Sequence, residues 1–243
     1  MIVEDFILLG RTVPEKSKKY DTTVCAAGYS KELNQLMRVY PLPPTLPTFR
    51  SRTVFSIALE RNNLDSRMES WTLKNRSAES IKNSFMTIGS EQLVNYLEKH
   101  RSESIQELNK KKRSLGVLKI SDFKVVLKTR KQVRNQFQME LFDDFQESCS
   151  FKTAGDYFLA PYLDFSDSSR HSLQIREWGV YELLRKYDSD RRMITANDIG
   201  AALNLKPSKD LYLLVGNMAH ARNTWLIIKT FSFSRQVQKL LFD

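Results

Sequence analysis

An α+β fold is predicted for this chain: a β-rich N-terminal half, barrel or PUA-like, then a central basic helix and a C-terminal helix pair closed by a β-hairpin. Three observations predict it. Residues 2–75 break into short apolar runs bounded by Gly, Pro and Asn, the pattern of strands and turns. Residues 90–113 and 172–204 carry apolar side chains at helical intervals. Residues 209–217 and 223–233 are again strand-like, around a polar loop at 217–223. At 243 residues the chain is one large domain or two intimately packed halves, 1–148 and 149–243.

The first strands are read in "DFILLGRT" (5–12), "TTVCAAGY" (22–29), "QLMRVYPL" (35–42) and "RTVFSIALERN" (52–62). In the second, Ala26, Ala27 and Gly28 are small enough for another backbone to approach closely; alternatively Gly28 is a turn residue. Pro41, Pro43, Pro44 and Pro47 predict an extended loop over 41–48, because each removes an amide donor and fixes φ. Ser90 is the expected N-cap of the central amphipathic helix, which carries Leu93, Val94, Leu97, Ile105 and Leu108 and breaks near Ser102. Residues 138–148, "QMELFDDFQES", read as an apolar and acidic latch or as a partner-groove segment. A strand follows in "GDYFLAPYLDFS" (155–166). Then comes a helix over 172–187, with Ser172 as N-cap and Ile175, Trp178, Tyr181 and Leu184 on one stripe. Thr195 and Asp198 give a near capping box for a second short helix.

The bulk charge points to a partner. Thirty-eight Lys and Arg against 28 acids give a formal charge of +10, and such an excess favours polyanions by counterion release. The densest run lies between Arg101 and Arg134, with eleven Lys and Arg against three acids. Lys110, Lys111, Lys112, Arg113, Lys128, Arg130, Lys131 and Arg134 are therefore the expected phosphate contacts. Lys18, Lys19 and Arg38 add cations at the ends of the N-terminal strands, where Tyr20, Tyr40 and Trp71 offer rings for base stacking.

Other chemistries find less support. Cys25 and Cys149, with His100, His171 and His220, have no zinc-ligand spacing, and Cys25 reads as a small hydrophobe in a buried strand. The glycines are dispersed, with neither a GxGxxG nor a GKS/T pattern, which disfavours nucleotide hydrolysis. No metal and no cofactor is expected. No apolar run reaches the roughly 18–20 residues of a membrane span, and the first residues fail as a signal peptide, so a cytoplasmic location away from membranes is expected. Asp65, Glu69 and Glu177 are the candidate carboxylates of a metal-dependent nuclease, the alternative reading; Arg67 between the first two suggests ion pairing instead. A third reading is an adaptor whose basic face docks on an acidic protein.

Several stretches resemble an uncharacterised bacterial family. They are "SKKY" at 17–20, "TVCAAG" at 23–28, Arg38-Val39-Tyr40-Pro41, the D-x-R-x-E-S stretch at Asp65, Arg67, Glu69 and Ser70, "RSLGVLKI" at 113–120, and the ending "DLYLLVGNMAHARNTWLIIKTF". The chain departs from that pattern in having Gly216-Asn217-Met218 where the family has Gly-Thr-His. Glu177-Trp178-Gly179 likewise stands in place of acid-Trp-Glu. The resemblance implies an accessory subunit of a bacterial multiprotein system of mobile-element or phage-defence type, with a protein partner. The charge pattern makes that subunit a non-enzymatic nucleic-acid binder.

Overall fold

In a computed structural model, residues 1–17, 19–45, 50–63, 65–76, 78–129 and 151–235 are described. They form two seven-stranded sheets and four short α-helices, so the α+β expectation holds, with a barrel in the N-terminal half. The first sheet comprises β1 (Ile2–Arg11), β2 (Glu15–Ser17), β3 (Asp21–Ser30), β4 (Gln35–Leu42), β5 (Thr53–Arg61), β6 (Ser70–Leu73) and β7 (Ile81–Thr87). Its order is β1-β3-β4-β6-β5, and β5 pairs back on β1, which closes a five-stranded barrel; β2 adds to β3 and β7 to β5. The closing pair is antiparallel, whereas β4 and β6 run parallel through Arg38↔Ser70 and Val39↔Trp71.

Period-2 patterning fills the barrel. Phe6, Leu8, Val24, Ala26, Val39, Phe55, Ile57 and Leu59 form its core, while Ile7, Leu9, Ala27 and Tyr29 project from the other face. Gly28 is no turn residue. It sits inside β3 between β1 and β4, and a Cβ there would meet the Phe6 ring and lie 2.6 Å from the Ile7 carbonyl oxygen. The small-residue run is thus a packing requirement of barrel closure.

After α1 (Ser90–Lys99) the chain builds the second sheet from β8 (Arg101–Ser102), β9 (Leu115–Ile120), β10 (Phe123–Thr129), β11 (Leu159–Ser166), β12 (Arg170–Ile175), β13 (Lys209–Asn217) and β14 (Trp225–Ser234). The order is β10-β11-β12-β14-β13-β9-β8. It is covered on both sides, so its central strands read as nearly unbroken apolar runs. On one side Tyr212, Leu214, Ile228 and Phe231 pack with the outer face of the barrel and with Leu93, Val94 and Leu97 of α1. On the other, Leu211, Leu213, Val215 and Ile227 pack with α2 (Ile105–Lys110), α3 (Trp178–Ser189) and α4 (Ala196–Ala202).

The structure corrects several local expectations. The stretch from Ser172 to Ile175 is strand, paired with β11 and β14, because Leu173 and Ile175 also satisfy a period of two and sheet pairing overrides the helical reading. Ser172 donates to Asp164 Oδ1 at 2.5 Å, and α3 starts only at Trp178. Gly89, not Ser90, occupies the N-cap of α1, and the Ser90 hydroxyl accepts from Arg52 Nη1. The central helix is two helices interrupted by β8 at Ser102; Ser104 caps the second by accepting from the Glu107 amide. Pro41 and Leu42 extend β4 after a cis Tyr40–Pro41 peptide, which shortens the expected loop. The capping box of Thr195 and Asp198 is present. The second sheet recruits β8–β10 from before residue 130, so the change of sheet falls at α1 rather than at residue 148. Residues 138–148 and Cys149 lie outside the described residues.

Filling the space over Gly28 is expected to destabilise the barrel. Gly28→Ala should cost about 1–3 kcal/mol, as overpacked cores do, read as a lowered urea midpoint at unchanged slope.

Candidate nucleic-acid interface

Where the barrel meets the second sheet, the D-x-R-x-E stretch lies in the connection between β5 and β6. Arg67, 7% exposed, donates through Nε to both Asp65 oxygens at 2.8 and 2.9 Å and through Nη2 to Oδ2 at 2.5 Å. Its Nη1 reaches across to the Asn217 carbonyl on β13 at 2.7 Å. Burial by itself raises the Asp65 carboxyl, but the hydrogen bonds from Arg67 and Ser70 and the Arg67 charge outweigh it and hold the group down at about 2.

Glu69, 3% exposed, works in the opposite direction. It pairs with Arg113 Nε at 3.1 Å and accepts the Ser114 hydroxyl at 2.8 Å and the Ser114 amide at 3.3 Å. Arg38 crosses the same seam: its Nη2 donates to the Ser114 carbonyl at 2.6 Å and its Nη1 to Cys25 Sγ at 3.6 Å. Asn217 joins the pieces, its amide nitrogen Nδ2 donating to the carbonyls of Arg222 and Arg113.

Above this buried network three sequence-distant segments converge. Across residues 61–70, 107–113 and 217–224, seven Lys and Arg face three acids. All three acids are already paired: Asp65 with Arg67, Glu69 with Arg113, Glu107 with Lys111. A cationic surplus therefore stays at the surface, on exposed Arg61, Lys110, Lys112 and Arg222. Arg222 Nη2 donates to Ser66 Oγ at 2.7 Å, and Arg61 stacks 4.2 Å over the Trp71 ring. Lys112 follows α2 in a left-handed conformation, φ 52°. Its amide bonds to the Asn109 carbonyl and that of Arg113 to the Leu108 carbonyl, closing the helix in a Schellman turn where glycine is the usual choice.

The expected contact residues divide. Lys110, Lys111, Lys112 and Arg113 gather at this corner. Arg38 does not reach solvent, at 5% exposed, and Trp71, at 9%, lies in the barrel core beneath Arg61, so neither fits the role of phosphate contact or stacking platform. Alternation sends Trp71 inward with Val39, and the seam claims the Arg38 side chain. Tyr40 is half-buried, its hydroxyl taking a hydrogen bond from Thr23. Lys19 and Tyr20 sit together in the turn between β2 and β3, and Lys128 lies 4.1 Å over the Tyr162 ring on β11. Lys18, Arg130, Lys131 and Arg134 lie outside the described residues. Arg61, Ser114, Asn217 and Arg222 were not singled out. Asn217 carried one signal, as a departure from the resembled pattern.

The three carboxylates do not converge. Glu177 pairs with Lys229 and accepts from the Thr230 amide and hydroxyl, both at 3.0 Å, pinning the start of α3 to β14. Among the described residues no three His, Cys, Asp or Glu side chains come together as metal ligands. Nor is any helix there long and apolar enough to cross a membrane.

Residues 3–105 match a family model described as Domain of unknown function (DUF8758). The match agrees with the resemblance to an uncharacterised family. It covers the barrel, α1 and β8 and stops before the Lys110–Arg113 tract. No curated protein matches the chain.

Removing one partner of the buried pair strands the other. Arg67→Ala should cost about 3–5 kcal/mol, measured by urea unfolding. The Asp65 carboxyl is depressed by folding from 3.8 to about 2. Its stabilisation is therefore complete above 3.8 and lost as pH falls toward about 2. In Asp65→Asn the stability–pH curve should be shallower over that interval.

Proposed function

We propose that the protein is a non-enzymatic nucleic-acid-binding subunit that grips the phosphate backbone through the corner formed by Arg61, Lys110–Arg113 and Arg222. The observation that carries this reading is the pairing of every acid in the three converging segments, which leaves their surface net cationic. Each exposed cation near a phosphate releases condensed counterions on binding, and cations from three segments can follow a backbone rather than meet one carboxylate.

Separate ion pairs for Asp65, Glu69 and Glu177 weigh against the nuclease alternative, since a two-carboxylate metal site needs oxygens free to coordinate. In the multiprotein system that the resemblance implies, of mobile-element or phage-defence type, a nucleic-acid grip of this kind supplies docking while a partner supplies chemistry. An adaptor that docks on an acidic protein is the outcome left if nucleic acid does not bind.

Lys112 ties stability to this role. A non-glycine residue in the left-handed region costs roughly 1–2 kcal/mol, so a cation is kept there against the preference of the turn. Lys112→Gly should raise the thermal midpoint while weakening binding. In titrations against labelled DNA and RNA at several salt concentrations, log K should fall linearly with log salt, and Lys112→Gly should reduce the slope by about 0.9. A slope unchanged in this more stable variant would remove Lys112 from the interface, and no binding at low salt would overturn the proposal.

A further inference from the structure

One apolar side chain stands in the middle of this basic corner. Met68, at the end of the β5–β6 loop, is 61% exposed, although its neighbours Arg67 and Glu69 are buried. The loop that presents it is held from several directions. The Asp65 side chain accepts from the Arg67 amide and from the Ser70 hydroxyl, Arg67 Nη1 bonds to the Asn217 carbonyl, and Asn62 Nδ2 bonds to the Tyr40 carbonyl. Two guanidiniums bond to the same loop: Arg61 donates to the carbonyl of Met68 itself, and Arg222 to the Ser66 hydroxyl. Met218, half-exposed, follows directly on the Asn217 that anchors Arg67.

Nothing in the folding of the loop requires a thioether at that position, because the anchoring bonds are made by its neighbours and by backbone. An exposed apolar side chain on an anchored loop to which two arginines bond has the composition of a wedge. Such side chains, methionine among them, insert between base steps from the minor groove and kink the duplex, while arginines beside them are drawn to the negative potential of a narrow minor groove. Resting on the nucleic-acid reading above, we infer that the ligand is double-stranded DNA and that Met68 partly unstacks one base step when Arg61 and Arg222 engage the flanking groove. The wide, shallow minor groove of A-form RNA does not offer the same narrow cleft.

The test uses the full chain and a DNA duplex with a central 2-aminopurine, whose fluorescence rises on unstacking, with donor and acceptor dyes at the ends to read bending. An RNA duplex of the same sequence serves as the comparison. The wild-type protein should raise the 2-aminopurine signal several-fold and shorten the end-to-end distance on DNA. Met68→Ala should abolish the signal while keeping the salt dependence of binding, and Met68→Leu should restore it. Binding without a fluorescence change, an unchanged signal in Met68→Ala, or unstacking of RNA but not DNA would each overturn the wedge and leave the phosphate grip standing. Absence of binding to either duplex would overturn both, and would favour a protein as the occupant of the corner.

Discussion

Two guanidinium groups, those of Arg38 and Arg67, are buried where the barrel meets the second sheet, and the rest of the structure is arranged so that neither lacks a partner. A buried cation stripped of its partners costs several kcal/mol, and the attraction that offsets this demands good geometry. Arg67 receives a bidentate carboxylate from its own loop and a carbonyl from β13; Arg38 receives a carbonyl from Ser114, the residue just before β9. The seam must then hold one registry, because sliding the sheet along the barrel would break these bonds together. Apolar packing of Ile7, Leu9, Tyr212, Leu214 and Ile228 drives the two layers together without fixing direction. The polar seam supplies that direction.

From that constraint the surface follows. Fixing Asn217 and Ser114 over the barrel places the ends of β13 and α2 beside the β5–β6 loop. Asp65 and Glu69 are consumed in holding it there, Glu107 is paired with Lys111 within α2, and what remains outside is cationic. The same residues that stabilise the seam thus determine the sign of the exposed corner. Charge here is a consequence of how the interior was neutralised, not of a basic helix face alone.

Much of this architecture was legible in the sequence. Short apolar runs bounded by Gly, Pro and Asn gave the barrel strands, and the runs in "LYLLVG" and "WLII" gave the two strands of the C-terminal hairpin. The helix expected from Ser172 starts only at Trp178, because Ile175 fits the helical stripe and, with Leu173, also a period of two, and the strand pairs with β11 and β14. Lys110–Arg113 was legible as a basic tract, since clustering is local. Arg38 and Trp71 were not legible as buried, because their residue types are common at surfaces; the burial of Arg38 depends on a second layer that begins more than sixty residues later, and that of Trp71 on closure of the barrel itself. Arg61 and Arg222 join the corner only through folding, and no local signal marks isolated arginines.

The extent of the matched family region sharpens the dependence of one layer on the other. Residues 3–105 contain Arg38, Asp65, Arg67 and Glu69, while Arg113, Ser114 and Asn217, which complete their hydrogen bonding, lie beyond it. Taken alone, the barrel of this chain would expose the outer face formed by Ile7, Leu9, Ala27 and Tyr29 and leave Arg38 and Glu69 facing water instead of each other's partners. In the full chain both side chains are buried, with Arg38 Nη2 on the Ser114 carbonyl and Glu69 on Arg113 and the Ser114 hydroxyl. The second sheet is therefore more than a support for the barrel: it converts the barrel's outward-facing charges into fixed anchors. Those anchors hold the cationic loops at defined positions.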